Sequence, residues 1–269
     1  MPVCDMLATL RLEAAFCTHK GNCAQQQDAI WIGDAVHQRD NLLPRVVPVG
    51  PETLFAIADG VASGPAAAKA SKLAVQALAA SLKAQPEGSF DGLVAARHVR
   101  AVQQRLCEAL AAGRLAYGAS TTIVAVHVRG DRTAVVNSGD SRAYLLRHGG
   151  DIERLSRDHS ERQRMIDEGC ASADIEYASV YSALSDCLVA DPEAGDFAVH
   201  RTTATLRAGD CLILCSDGVH DVLKEAEWLD GLVQLREPLR QVTEIRQKVL
   251  KKGAPDNFSV IAISATSAV

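Results

Sequence analysis

Leu54-Phe55-Ala56-Ile57-Ala58-Asp59-Gly60 is the stretch that decides how this chain folds. The apolar run reads as a buried strand, and a carboxylate stands where it stops. Gly60 lets the backbone turn sharply or approach a ligand closely. Ser63, Gly64 and Pro65 then predict a helix start, a cap candidate followed by proline in the first turn. Alone, Asp-Gly after a strand is a turn signal. Here the pattern recurs along the chain. Asp140 follows the apolar run at 133–136 and its Asn-Ser-Gly turn, and Asp217 follows Cys211-Leu212-Ile213-Leu214-Cys215-Ser216. Asp28 precedes Ala29-Ile30-Trp31-Ile32, and Asp256 precedes Phe258-Ser259-Val260-Ile261-Ala262-Ile263. Any one of these is as often a turn former as anything else. Five strand-end carboxylates together predict a rim of acidic ligands.

Moving outward, residues 8–17 partly alternate and read as a first strand, and 37–52, with three prolines, reads as a loop or hairpin before the strand at 54–58. From Ala66 to Leu82 the apolar spacing predicts an amphipathic helix, closed by Gln85-Pro86-Glu87-Gly88. A second helix carries Val99, Val102, Leu106, Ala109 and Leu110 on one face and ends at Gly113. Two β-rich runs joined by Arg129-Gly130-Asp131 form a hairpin signature. Strands linked by such short turns pair antiparallel, which excludes a doubly wound parallel sheet. Glu161 to Glu168 suggests a short helix within an irregular stretch, strands return at 196–203 and 211–215, and 222–252 reads as helical with a stripe of Leu239, Val242, Ile245, Val249 and Leu250. No linker or repeat interrupts this order. The expected architecture is one α+β domain over 1–269, a four-layer α-β-β-α sandwich of two antiparallel sheets flanked by helix pairs.

At 269 residues, 48% hydrophobic and 23% charged, the chain can bury a large core. A net charge of −5 and a pI near 5.9 give no footprint for nucleic acid or an acidic membrane. The longest apolar runs fall short of a membrane span, and the opening residues show no secretory pattern, so a cytoplasmic location is expected. The eight cysteines lack metal-type spacing and are scattered through apparent helices and strands, which favours reduced, mostly buried thiols. Cys211 and Cys215, four apart in one strand, share a face.

Carboxylates on rigid strand ends suit Mg²⁺ or Mn²⁺, which prefer carboxylate and water oxygens. No P-loop, H-E-x-x-H or G-x-S-x-G offers another chemistry. With Asp59-Gly60 after a strand, Ser120-Thr121-Thr122, Ser138-Gly139-Asp140-Ser141-Arg142, Arg157-Asp158-His159-Ser160, Ser216-Asp217-Gly218-x-x-Asp221 and Asp256-Asn257 in this order, the chain resembles the PP2C (PPM) metal-dependent serine/threonine phosphatases of the compact bacterial type. The resemblance runs from about residue 10 to 265 and implies the sandwich above. It also implies two Mn²⁺ or Mg²⁺ ions at one edge: Asp28 binding one ion, Asp59 bridging both, Gly60 lending its carbonyl, and Asp217 and Asp256 completing the centre. Asp140 with Asp217 and Asp221 matches a third-metal site, and 161–195 falls where the family carries a mobile flap. The implied reaction is hydrolysis of phosphoserine and phosphothreonine by a metal-held water, with no protein nucleophile. Phosphoproteins and a cognate kinase are the implied partners, and a monomer is expected, without nucleic acid or membrane.

The chain departs from the family pattern in two places. The arginine that clamps substrate phosphate is absent from Gly21-Asn22-Cys23-Ala24-Gln25-Gln26-Gln27-Asp28, leaving Lys20 and Arg39 as candidate replacements. Where bacterial relatives carry Met-Gly-Gly-His, this chain has Val61-Ala62-Ser63-Gly64, with no histidine acid. His220 is a proton-donor candidate by proximity alone, against the commoner reading of an ordinary surface histidine. Arg142 reads as half of a structural ion pair. The alternative function is a weakly active or pseudophosphatase-like binding module that lacks the phosphate clamp.

Overall fold

The computed structural model describes residues 10–61, 66–84, 92–112, 116–172 and 179–267. Ser63, Pro65, Gln85 to Gly88 and Gly113, read as helix punctuation, lie outside these residues.

In chain order the first strands are β1 (Leu10–His19), β2 (Ala29–Ile32), β3 (Ala35–His37), β4 (Asn41–Val47), β5 (Glu52–Ala58) and β6 (Gly60–Val61). Helices α1 (Ala67–Lys83) and α2 (Gly92–Leu106) follow, the second running into a π-turn at Cys107–Ala111. Next come β7 (Ser120–Thr121), β8 (Ile123–Arg129), β9 (Arg132–Ser138), β10 (Arg142–Leu146), β11 (Ile152–Arg154) and α3 (Glu161–Asp167). The chain continues through β12 (Leu188–Val189), β13 (His200–Thr205), β14 (Cys211–Cys215), α4 (Asp217–His220), α5 (Glu225–Val233), α6 (Pro238–Lys251) and β15 (Phe258–Ser267).

Two six-stranded sheets, ordered β11-β10-β14-β15-β1-β4 and β13-β9-β8-β5-β2-β3, stack face to face. Side-chain alternation makes three apolar layers from them. Leu10, Leu12, Ala14 and Phe16 of β1 meet Phe55 and Ile57 of β5 between the sheets. Ala15 and Cys17 point the other way, to Val242, Ile245 and Val249 of α6. Ala56 and Ala58 of β5 lie under Ala70 and Ala74 of α1, small residues that bring helix and sheet close together. Helices therefore cover both outer faces, and the α-β-β-α sandwich expected from the sequence is the architecture found.

Three elements differ from their sequence reading. Residues 41–47, within the stretch read as loop or hairpin, form edge strand β4 on β1, and Pro44 is tolerated because an edge leaves its missing donor unneeded. The helical stretch 222–252 is two helices, with Pro238 opening the second. Leu239, assigned to the buried stripe, is 38% exposed, whereas Gln241 is buried there and accepts the Cys211 thiol at 3.0 Å. Cys211 and Cys215 do share a buried face, and the seven described cysteines are all free. Among the described residues no helix is long and apolar enough to cross a membrane.

Candidate metal centre

Strand pairing decides where the aspartates go. Ala29 opposes Ala58, so Asp28 before β2 and Asp59 after β5 emerge side by side. Ile123 opposes Ser138, which brings the Gly139-Asp140 turn to the same end. Arg142, Cys215 and Val260 lie in register across β10, β14 and β15, so Asp217 and Asp256 emerge there as well. A cleft of ≈ 440 Å³ opens at this edge, lined by Asp59, Gly60, Asp140, Asp217 and Asp256. Cys23, Gln27 and Thr122 complete its walls, with Ser182 and Leu184 from the segment read as a flap. A second cavity of ≈ 310 Å³ lies at the opposite end of the sandwich, and its single lining carboxylate, Asp210, is held by Arg147 at 2.8 Å.

The motifs that carried the resemblance turn out to hold this edge together. Thr121 donates its hydroxyl to the Asp59 carbonyl at 2.7 Å, and the Asp59 amide donates to Thr122 Oγ1 at 3.1 Å. Ser216 donates to Asp28 Oδ2 at 2.8 Å and accepts the Ser259 amide at 2.9 Å. Asn257, buried, accepts the Gln27 amide at 2.6 Å and donates to the carbonyls of Lys20 and Gln25. Asn137 ties the Asp140 turn to Arg157, and the His159 amide donates to the Gly139 carbonyl at 3.0 Å.

The electrostatics are those of a buried acidic cluster. Burial, then mutual repulsion with Asp217 and Asp28, raises Asp59 well above the usual carboxylate range. Asp140 rises for the same two reasons, burial and then Asp217. Asp28 is pushed up to about 7, mainly by burial. Asp217 is also raised, chiefly by burial, while a hydrogen bond from Asp59 partly offsets the rise. The buried Oδ1 atoms of Asp28 and Asp217 have no hydrogen-bond partner. Neither lysine nor arginine is among the described cleft-lining residues. Buried carboxylates clustered in this way call for positive charge.

Does the donor set fit a divalent cation? As the side chains stand, no three acidic, histidine or cysteine groups among the described residues are arranged around one ion position. Asp217 stands near enough to Asp59 to raise its carboxyl by repulsion. Their chemistry fits, because hard oxygen donors on rigid strand ends are what Mg²⁺ and Mn²⁺ take. Gly60 fits as well. A Cβ there would stand 2.7 Å from the Ala67 carbonyl oxygen and 3.0 Å from that of Gln27, so only glycine lets the chain pass beside the carboxylates.

The remaining candidates differ in their surroundings. Asp28 is fully buried beside Asp59. Asp221 is outside the lining, its side chain 60% exposed, and His220 holds its carboxyl below the usual range against the upward effect of burial. His220, read as a surface residue, is in fact buried: Nε2 lies 3.1 Å from the Asp140 carbonyl and Nδ1 3.1 Å from Asp221. Lys20 donates to the Ala24 carbonyl at 3.3 Å, and Arg39 offers its own carbonyl to Thr18; neither lines the cleft. Of the predicted flap, α3 forms as expected, capped by Ser160, whose hydroxyl accepts the Gln163 amide. Cys23, Thr122 and Asn257 were not singled out as site residues, and their spacing alone carries no signal.

A two-sheet sandwich with helices outside and a carboxylate cleft at one edge defines the class of PP2C-fold proteins. The family model described as protein phosphatase 2C matches residues 32–252, and the chain belongs to that family. It is 30% identical over 208 residues, 77% of its length, to the serine/threonine protein phosphatase PstP of Mycobacterium tuberculosis, of which the match covers 39%. The chain thus spans about two-fifths of that relative's length. The crystal structure of the M. tuberculosis PstP/Ppp phosphatase superposes with a TM-score of 0.78 at 26% identity, covering 97% of this chain and 100% of that one. A PstP catalytic domain solved in complex with two manganese ions superposes with a TM-score of 0.75 at 26% identity, covering 96% of this chain and 100% of that one.

Proposed function

We propose that this chain is a metal-dependent phosphatase that hydrolyses phosphoserine and phosphothreonine on proteins at a binuclear Mn²⁺ or Mg²⁺ centre. The observation that carries this reading is the convergence of Asp59, Asp140, Asp217 and Asp256 on one cleft with neither lysine nor arginine among its described lining residues. Family membership and the phosphatase PstP relative support it. In this reading Asp59, the Gly60 carbonyl, Asp217 and Asp256 hold the two ions. Asp28, buried beside Asp59 with its Oδ1 unpartnered, binds one ion as the resemblance implied. Asp140, with Asp221 steadied by His220, belongs to the third-metal position. A bound divalent pair lowers the pKa of water and offsets charge on the phosphoryl oxygens. Thr121 and Thr122 hold the Asp59 backbone, Ser216 fixes Asp28, and Asn257 joins the 20–27 loop to Asp256. Ser182 and Leu184 close one side of the cleft, so residues 161–195 act as the flap. No cysteine or serine need attack, since Cys215 is packed in the apolar layer with its thiol raised far above ordinary values by burial. The protein acts as a single cytoplasmic domain and monomer, on phosphoproteins and opposite a cognate kinase.

EDTA is expected to abolish hydrolysis of p-nitrophenyl phosphate and of a phosphothreonine peptide. Mn²⁺ restores it better than Ca²⁺, whose larger, irregular shell activates water poorly. Full turnover in chelator overturns the binuclear reading.

The missing clamp gives a second test. Ala24 is exposed beside Cys23 at the cleft rim. Ala24→Arg supplies a guanidinium whose charge-assisted hydrogen bond is worth about 1.5–3 kcal/mol. KM for a phosphopeptide should fall about ten- to a hundredfold while kcat changes less, the sign of added uniform binding. If Lys20 or Arg39 already serves, Ala24→Arg does little and Lys20→Ala or Arg39→Ala raises KM instead. Unchanged KM in all three variants means that phosphate is recognised elsewhere.

A further inference from the structure

The described cysteines differ in their surroundings. Cys17, Cys211 and Cys215 sit on strand faces within the apolar layer under α6. Cys23 instead sits half-buried on the turn after β1 and lines the carboxylate cleft. Its thiol donates a hydrogen bond to Oδ1 of Asp256, with Sγ and the oxygen 3.2 Å apart.

This juxtaposition is built, not incidental. Asn257, the residue after Asp256, donates to the carbonyls of Lys20 and Gln25, binding both ends of the Cys23 turn. The Asn22 amide donates to the Ala254 carbonyl at 3.0 Å, and the Asn22 side chain to that of Gly253 at 3.0 Å. Gly21, at φ +58°, packs so closely on Asp256 that a Cβ would lie 2.1 Å from its carbonyl oxygen. A left-handed backbone and that contact both require glycine. Two loops remote in sequence are therefore locked together with a thiol and a carboxylate facing each other.

The separation suits a shared ion. An oxygen at about 2.1 Å and a sulfur at about 2.3 Å from one cation stand about 3.1 Å apart at a right angle and about 3.6 Å apart at the tetrahedral angle. The observed 3.2 Å lies within that span. Independently, Asp217 lines the same cleft, and its buried Oδ1 has no hydrogen-bond partner.

We propose that Cys23 is a sulfur ligand in this cleft, paired with Asp256, and that it gives the centre an affinity for thiophilic divalent cations such as Zn²⁺ and Cd²⁺. The inference rests on the reading of Asp256 as a cation ligand. Thiolate donors select soft cations, whereas carboxylate-only sites favour Mg²⁺ and Mn²⁺. As the cation–sulfur bond forms, the S–H bond breaks and its proton passes by way of Asp256 to water. One proton is released for each ion held by Cys23.

The test titrates the full chain with Cd²⁺ and reads the thiolate-to-cadmium charge-transfer absorption, with cadmium NMR on the unmodified protein as a second measure of sulfur ligation. A band that Cys23→Ser removes and excess Mn²⁺ displaces is the expected result. The ratio of Cd²⁺ to Mn²⁺ affinity should also fall about 10- to 100-fold in Cys23→Ser, the scale of losses seen when metal-site partners are removed. A band that persists in Cys23→Ser, one that Mn²⁺ cannot displace, or a cadmium resonance without sulfur character overturns the assignment. If Mn²⁺ itself shows no calorimetric binding, the underlying cation centre fails. If Mn²⁺ binds but cadmium shows no sulfur bond, only the Cys23 assignment fails. Should Cys23→Ser not fold, the NMR measurement on the unmodified chain decides.

Discussion

Asp59→Asn is expected to lower turnover at saturating Mn²⁺ by at least about a thousandfold, roughly 4 kcal/mol of transition-state stabilisation, while the fold survives. The kinetic loss follows from the proposed bridging position, where one charge serves two ions. Survival of the fold follows from the metal-free electrostatics. Burial and then Asp217 and Asp28 raise the Asp59 carboxyl, so an uncharged amide at this position relieves repulsion. The sign of the pH effect is fixed by the same shift. A carboxyl with a raised folded pKa binds more protons folded than unfolded, so its contribution to stability falls as pH rises from about 4 toward the raised value. In chelator at neutral pH, Asp59→Asn should be as stable as the parent or more so, with a shallower pH dependence. In Mn²⁺ the order reverses, because ion binding stabilises only the folded state that holds it. Near-parental turnover, or equal Mn²⁺ stabilisation of both proteins, reduces Asp59 to a turn residue.

The clearest sequence signals were those imposed by period-two burial. The strands β1, β14 and β15 alternate between two apolar layers, and their ends predicted where the carboxylates would gather. Long-range pairing was much less legible. Strand β4 hides in a proline-bearing stretch because an edge strand with one face exposed lacks a strong apolar pattern. The identity of the cleft wall was also hidden. Cys23 and Asp256 are 233 residues apart, and only the folded chain, through the bonds of Asn22 and Asn257, brings them together. His220 looked like a surface residue because histidine is neutral to burial statistics. Its two ring nitrogens are placed between Asp140 and Asp221 by the short helix α4, which no apolar repeat announces.

Removing Arg142 should cost about 3–5 kcal/mol of folding stability, the scale for breaking a buried ion pair by deleting one partner. Arg142 is only 13% exposed in its side chain, and its Nε lies 3.0 and 3.1 Å from the two oxygens of Asp158. Its Nη1 reaches Glu225 at 2.9 Å, and the same carboxylate accepts the Tyr144 hydroxyl. Burial alone would raise the Asp158 carboxyl, yet Arg142, with Arg154 and His220, holds it below the ordinary value. Such a depressed carboxyl contributes stability that is present above its unfolded value, about 4, and is lost as pH falls through the folded one. Arg142→Ala leaves Asp158 buried with Arg154, at 3.7 Å, as its remaining ion-pair partner, so the denaturant midpoint at neutral pH should drop sharply. The acid limb of the stability curve should flatten, because protonating Asp158 now relieves a penalty. Asp158 precedes His159, whose amide and ring both bond the Gly139 backbone, so the loss should reach the Asp140 turn and weaken cation binding there. Adding Asp158→Asn to Arg142→Ala should recover part of the stability, since the buried charge is gone. A loss below about 1 kcal/mol in the single variant, or no recovery in the double, makes the pair an ordinary surface salt bridge. The Asp140 turn then owes its position to Asn137 and His159 alone.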